Sequence, residues 1–181
     1  MARRETQVTP PWVRVVLHEP EIPNNTGNIG RSCVAVGAAL HLIKPLGFDT
    51  SEKACRRAGL DYWPRLGVRE HDSFDDFLHA APPAAPLWLF SSKGKRPYFD
   101  APLRAGDSLV FGKESAGLPD ELLERYPDRV LVLPMVPNER SLNLATAVCA
   151  VLYEAVRQDV ARGTLTLDEL GRIHSGPATP Q

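Results

Sequence analysis

The stretch Trp12-Val-Arg-Val-Val-Leu-His-Glu-Pro-Glu-Ile-Pro-Asn-Asn-Thr-Gly-Asn-Ile-Gly-Arg31 decides the fold class. It opens with an apolar, β-branched run at residues 12–17, which predicts a buried strand. A proline-containing connection then leads into helix-like residues 26–37, which Asn25 or Thr26 is placed to cap. A strand followed by a helix is the first half of a βαβ unit, so the stretch favours an α/β fold with a parallel sheet.

The same alternation continues along the chain. Further strands are predicted at residues 39–43, 66–68, 87–90, 108–111 and 130–133, and helices at residues 51–58, 73–80, 119–126 and 142–160. Most strand runs are almost continuously apolar, as expected for strands buried on both faces. We therefore predict a single-domain, parallel-sheet α/β fold at residues 12–160, a flexible extension at 1–11 and a loosely packed tail at 161–181.

The composition is that of an ordinary globular protein. The 181 residues are 43% hydrophobic and 24% charged, with a formal net charge of −1. These values exclude a disordered chain and a protein that coats nucleic acid by charge alone. The three cysteines form no CxxC pair, so neither a disulfide framework nor a metal site is predicted. With no membrane-length apolar run and no export signal, a cytoplasmic protein is expected.

Three predicted loops follow the carboxyl ends of strands, where open α/β sheets bind ligands. They are residues 91–96, 112–119 and 134–143. The first carries cations that suit phosphates, and the second begins at a glycine, where a ligand can approach the backbone. The third is stiffened by prolines and contains a methionine. Together they predict one pocket, better suited to an adenine and a thioether than to a triphosphate.

The last predicted helix, residues 142–160, has little polar circumference. Ser141 is placed to cap it. A helix packed on one side of a sheet needs an apolar stripe of only about 100°, yet small or apolar residues recur on nearly every face. We therefore expect Val148 and Val151 to be covered by the same helix of a second subunit, with Tyr153 at a twofold contact.

Three ordered segments resemble the motifs of the SPOUT methyltransferases, a family of RNA 2′-O-methyltransferases. They are residues 25–31 (NTGNIGR), 111–119 (FGKESAGLP) and 133–143 (LPMVPNERSLN). Residues 19–23 and 57–62 resemble, more narrowly, the minimal single-domain branch that methylates the wobble ribose of certain leucine tRNAs. The resemblance implies a C-terminal trefoil knot, a homodimer, S-adenosylmethionine as methyl donor and tRNA nucleotide 34, cytidine or uridine, as the target.

The resemblance also implies a role for individual residues. It places the methyl donor against Phe90, Gly112, Leu133, Met135, Ser141, Leu142 and Asn143, and RNA against Asn28, Lys93, Lys95 and Lys113. The family's catalytic step depends on the position of Arg31. Ala116 stands where relatives often carry a cation, a departure that bears on the RNA contacts.

A ribose hydroxyl is a poor nucleophile until its proton leaves, so the protein must align it and stabilise the developing alkoxide. Arg31 suits that stabilising role, whereas an always protonated guanidinium is unsuited to be the base. Glu114 or a tRNA phosphate is the expected proton acceptor. Other open interpretations are methylation of another tRNA or rRNA position, a non-catalytic RNA-binding module, and an NAD-dependent oxidoreductase.

Overall fold

The central sheet is parallel throughout the residues that the computed structural model describes, which are 12–57, 59–81 and 86–176. Its strands in chain order are β1 (Arg14–His18), β2 (Ala39–Ile43), β3 (Arg69–His71), β4 (Leu87–Phe90), β5 (Arg96–Pro97), β6 (Ser108–Phe111) and β7 (Val130–Val132). In space they follow the order β3-β2-β1-β6-β4-β7-β5. All carboxyl ends therefore lie at one edge of the sheet, and the predicted parallel α/β fold is confirmed.

Helices cover both faces of this sheet. They are α1 (Pro23–Val36), α2 (Glu52–Arg57), α3 (Trp63–Leu66), α4 (Phe74–Ala80), α5 (Asp120–Arg125) and α6 (Leu144–Ala161). Val15 and Leu17 of β1 face a core that contains side chains of α1, α3 and α6, whereas Val16 faces a core that contains Phe77 of α4 and Leu122 of α5. The alternation arises because successive strand side chains point to opposite faces.

Two local predictions are wrong. Residues 66–68 were expected to form a strand, but Leu66 ends α3 and Gly67 terminates that helix at φ 60°, so β3 begins only at Arg69. The cap of α1 differs as well, because the helix already starts at Pro23 and Asn25 and Thr26 are buried within its first turn. Proline at the first helical position favours this earlier start.

Helix α6 is buried on one side by its own chain. Val148 and Val151 have no exposed surface, whereas Tyr153 is 52% exposed. The prediction that a second subunit covers Val148 and Val151 is therefore wrong, since α1 and the sheet already cover them. The other face of α6 carries small alanines and the exposed Tyr153. In the sequence these residues look like a second buried face.

Part of the C-terminal tail is packed. Strands β8 (Leu165–Leu167) and β9 (Ile173–Ser175) form an antiparallel hairpin, and Leu165 is buried in the larger core. Residues 1–11 and 177–181 lie outside the described residues. No helix in the described part of the chain is both long and apolar enough to cross a bilayer. The trefoil knot stays a prediction.

Candidate functional site

Three of the predicted cofactor positions lie side by side at the carboxyl edge of the sheet. Phe90 ends β4 and is paired in register with Phe111 of β6 on one side and Leu131 of β7 on the other. The Phe90 and Phe111 rings stack with centroids 4.6 Å apart. Gly112 follows directly after Phe111, and Leu133 lies just beyond β7, so the chain brings its second-half loops together as expected from strand order.

The loop after β6 leaves no room for a side chain at Gly112. A Cβ atom there would collide with the backbone of Gly117, which donates its N–H to the Lys113 carbonyl at 2.8 Å. Gly117 itself has φ +73°, a conformation that favours glycine. The close approach that the sequence suggested for a ligand is thus already made by the turn at residues 113–117.

That turn is joined to the loop after β1 by a network of polar contacts. The Glu114 carboxylate accepts hydrogen bonds from the backbone N–H groups of Glu21 (2.9 Å) and Ile22 (3.3 Å) and from Asn25 Nδ2 (2.9 Å). Charge-assisted bonds of this kind are among the stronger ones in proteins. Glu114 thereby holds the start of α1, where the helix has no side-chain cap of its own.

Two further pairs strengthen the same junction. Glu21 accepts bonds from the backbone N–H and the hydroxyl of Ser115, at 2.9 and 2.8 Å, and these bonds lower the pKa of Glu21. Lys113 lies 2.8 Å from Glu19, and the hydrogen bond to that carboxylate raises the pKa of Lys113. The loops after β1 and β6 therefore behave as one unit.

Asn143 attaches the third loop to this unit. Its Nδ2 donates to Asn25 Oδ1 at 2.9 Å, while its Oδ1 accepts from the backbone N–H groups of Ala145 and Thr146. Asn143 is therefore the N-cap of α6. The expectation that Ser141 caps this helix is wrong, because the helix begins two residues later than its apolar pattern suggested.

The rest of the loop between β7 and α6 is open. Leu133 and Met135 are half-buried, whereas Ser141 and Leu142 are exposed. Val136 is 69% exposed, which is unusual for a large apolar side chain in a loop at a ligand edge. An apolar, hydroxyl-bearing loop beside the Phe90 strand end fits an adenosyl group and a thioether better than an anion.

Arg31 lies on the exposed surface of α1. Its Cζ is 4.6 Å from the centroid of the Tyr62 ring. Both residues line a cavity of about 320 Å³ between α1 and the segment that leads into α3. Glu114 contacts the first turn of the same helix through Asn25, so both expected catalytic residues are associated with α1.

The expected RNA contacts fall into two groups. Lys93 pairs with Asp120 and Lys113 with Glu19, so both of these cations already have anionic neighbours. Lys95 and Asn28 are exposed. Exposed ion pairs contribute little to stability, so Lys93 can exchange its carboxylate partner for a phosphate at small cost.

Sequence reasoning missed two features of this site. The contact between Tyr62 and Arg31 went unnoticed, although Tyr62 stands in the resemblance segment at residues 57–62. The polar network of Glu19, Glu21 and Asn25 was also missed. A Cβ atom at Gly30 would lie 2.9 Å from Leu66 Cδ2, so this glycine lets α1 pack closely against α3.

The fold is that of a parallel α/β protein whose second-half loops meet at the carboxyl edge of its sheet. Residues 12–153 match the SpoU rRNA methylase family, and the chain belongs to this family. A tRNA (cytidine(34)-2′-O)-methyltransferase of Saccharophagus degradans is 49% identical over 145 residues, which are 80% of this chain and 94% of the relative.

Solved structures show the same similarity. One reported as "Structural insights into the 2-OH methylation of C/U34 on tRNA" is 49% identical, with a TM-score of 0.77, and covers 83% of this chain and 97% of that one. The SpoU methyltransferase AviRb of Streptomyces viridochromogenes, solved in complex with AdoMet, is 28% identical with a TM-score of 0.69 and covers 83% and 62%. SpoU methyltransferases thus bind S-adenosylmethionine.

Proposed function

We propose that this protein transfers a methyl group from S-adenosylmethionine to the ribose 2′-oxygen of nucleotide 34 in tRNA. Cytidine and uridine are both substrates in this proposal, and the tRNAs are leucine tRNAs. The observation that carries it is the 49% identity to a tRNA (cytidine(34)-2′-O)-methyltransferase over 94% of that relative's length. The similarity spans 80% of this chain, so it supports an activity of the whole domain.

The cofactor-binding residues of this proposal are those of the three neighbouring loops. They are Phe90, Gly112, Leu133, Met135, Ser141, Leu142 and Asn143. The exposed Leu142 and half-buried Met135 supply apolar surface, and Asn143 anchors the loop through its bond to Asn25. The cofactor supplies a methyl group that is already activated on a sulfonium.

Arg31 acts on the ribose. Its guanidinium lines the cavity beside α1, where a nucleotide can enter and present its 2′-hydroxyl. A fixed positive charge stabilises the alkoxide that develops as the proton leaves. Asn28, Lys93, Lys95 and Lys113 hold the RNA through its phosphates and sugars.

The proton acceptor in this proposal is a tRNA phosphate. Glu114 was the other candidate, but its oxygens already accept three hydrogen bonds at the start of α1. Protonation would weaken those bonds, because a neutral carboxylic acid is a poorer acceptor than a carboxylate. We assign Glu114 to the architecture of the site.

The enzyme acts as a homodimer in this proposal, with the exposed face of α6 as the contact. That face carries Tyr153, which is 52% exposed, and the neighbouring half-buried Cys149 and Ala150. Small residues let two helices approach closely, and twofold symmetry brings the same face of each chain together. Tyr153→Glu should give a folded monomer by light scattering, and a Tyr153→Glu dimer contradicts this interface.

Methyl transfer to a leucine tRNA transcript tests the proposed activity. Mass spectrometry should find one added methyl group at nucleotide 34, and a transcript with 2′-deoxyribose at that position should accept none. Arg31→Ala should lower the rate by at least about 100-fold while S-adenosylhomocysteine affinity stays within a few fold. Methylation at any other nucleotide refutes the assigned position.

Cofactor titration separates the enzyme from a non-catalytic RNA-binding module and from an oxidoreductase. Calorimetry with S-adenosylhomocysteine should show one site per chain, and NAD should give no heat of binding. Binding of RNA without binding of S-adenosylhomocysteine favours the non-catalytic module. Binding of NAD favours the oxidoreductase.

A further inference from the structure

The aromatic ring of Tyr62 packs against the guanidinium of Arg31. The guanidinium carbon lies 4.6 Å from the ring centroid, within the range of a cation–π contact. Tyr62 is only 2% exposed, whereas Arg31 is exposed on the surface of α1. Fixing an exposed arginine side chain costs about 2 kcal/mol of rotamer entropy. Because the buried Tyr62 ring restricts the guanidinium in the free protein, part of that cost is met before substrate binds.

The Tyr62 ring is itself held in place by α1. Its hydroxyl donates to the Gly27 carbonyl, one helical turn before Arg31. Burial raises the pKa of Tyr62, so the phenol remains a hydrogen-bond donor. A Cβ atom at Gly27 would lie 3.6 Å from this hydroxyl, and one at Gly30 would lie 3.3 Å from Tyr62 Cε2. The two glycines thus form the surface against which the ring packs.

We infer that Tyr62 is a positioning residue for Arg31. The inference rests on the proposed function, in which Arg31 stabilises charge on the ribose oxygen. Such stabilisation depends on a donor that is already aimed at the reacting atom, because a mobile cation must be reoriented during the reaction. Tyr62 fixes the guanidinium at the wall of the 320 Å³ cavity that both residues line.

Two substitutions separate the ring from the hydroxyl. Tyr62→Leu removes the ring, and we expect kcat to fall about 10- to 100-fold, with the KM for tRNA and the S-adenosylhomocysteine affinity within about twofold of wild type. Tyr62→Phe keeps the ring and should retain kcat within about threefold. An unchanged kcat in Tyr62→Leu overturns the inference, and so does an equal loss in both variants.

Leu66→Ala is the matched control for packing. Leu66 of α3 is buried and packs against Gly30 of α1, the helix that carries Arg31, and it is not among the residues that line the cavity. This variant should lower the melting temperature about as much as Tyr62→Leu and leave kcat unchanged. If kcat falls equally in Leu66→Ala, Tyr62 acts through stability alone and the inference is wrong.

A double substitution tests the coupling to Arg31. Lysine lacks the planar group that stacks on an aromatic ring. In an Arg31→Lys background, Tyr62→Leu should therefore change the residual rate less than about twofold. An equal effect of Tyr62→Leu in both backgrounds shows that the two residues act independently and overturns the inference.

A spectroscopic measurement distinguishes failure of this inference from failure of the proposed function. The Arg31 side-chain protons should show an upfield ring-current shift in the wild type and in Tyr62→Phe, and lose it in Tyr62→Leu. Absence of the shift in the wild type overturns the inference whichever RNA is the substrate. If the shift is present but wild type methylates a nucleotide other than 34, the proposed function fails, and the kcat comparison on that nucleotide then decides the inference.

Discussion

The loops after β6 and β7 lie at the same edge of the sheet, yet they are built differently. The β6 loop, residues 112–117, closes on itself and is bonded to the loop after β1 through Glu114, Ser115 and Lys113. The β7 loop, residues 133–143, is attached at its end by Asn143 and exposes Val136 and Leu142. The polar groups of the first loop are bonded within the chain, whereas the second loop exposes apolar side chains to solvent.

The largest expected effect is that of Gly112→Val. Its Cβ would meet the backbone of Gly117, so the β6 loop must open, at a cost of about 3 kcal/mol or more. Chemical denaturation measures this loss. Ala116→Val, an exposed change in the same loop, should alter stability by less than about 0.5 kcal/mol. Equal stability of the two variants contradicts the close packing of Gly112 against the Gly117 backbone.

A carboxylate in each loop gives the second comparison. Glu114→Ala removes the acceptor of three hydrogen bonds and should cost about 2 kcal/mol. Glu139→Ala changes an exposed carboxylate of the β7 loop, and its cost should stay below about 0.5 kcal/mol. Urea unfolding of both variants measures these two losses of stability. If Glu114→Ala is neutral, the polar junction contributes nothing to folding.

Within the β7 loop, Asn143 and Ser141 should respond in different ways. Asn143→Ala deletes the N-cap of α6 and should lower stability by about 1 kcal/mol. Ser141→Ala should leave the melting temperature unchanged and weaken S-adenosylhomocysteine binding several-fold, as calorimetry can show. An Ser141→Ala protein with unaltered affinity removes this residue from the proposed cofactor site.

The smallest expected effect is a difference in acid sensitivity. The hydrogen bonds from Ser115 lower the pKa of Glu21 below its usual 4.5. The stabilisation that ionised Glu21 gives to the folded loop is therefore complete above pH 4.5. It is lost as the pH falls through the lowered pKa of Glu21. Hydrogen exchange at acid pH should increase in residues 112–117 more than in residues 133–143. Ser115→Ala removes the hydroxyl bond and keeps the backbone bond, so it should reduce that difference. Equal acid responses of the two loops in wild type contradict the prediction.

Local pattern explains which parts of the fold were predictable. The strands at 39–43, 87–90 and 108–111 match the observed β2, β4 and β6 residue for residue, because each is an almost continuously apolar run buried on both faces. The short strand β5 (Arg96–Pro97) was not predicted. Two residues, one charged and one proline, are too few to show the alternation of apolar and polar side chains that indicates a strand. Residues 66–68 were misassigned because Leu66 is the last residue of α3 and Gly67 ends that helix, although the stretch looks apolar in the sequence.

The sequence by itself determined the parallel α/β class, the three loops at the carboxyl edge and the motifs that resemble a methyltransferase family. Hydrophobic periodicity and turn residues depend on neighbours only a few positions away in the chain. They therefore predict strands, helices and loops without knowledge of the tertiary structure. Tertiary structure decided that Glu114 holds the start of α1 from 92 or 93 residues away. It likewise placed Tyr62 under Arg31 and left one face of α6 exposed. These contacts depend on the strand order and the packing of helices, which no local spacing encodes.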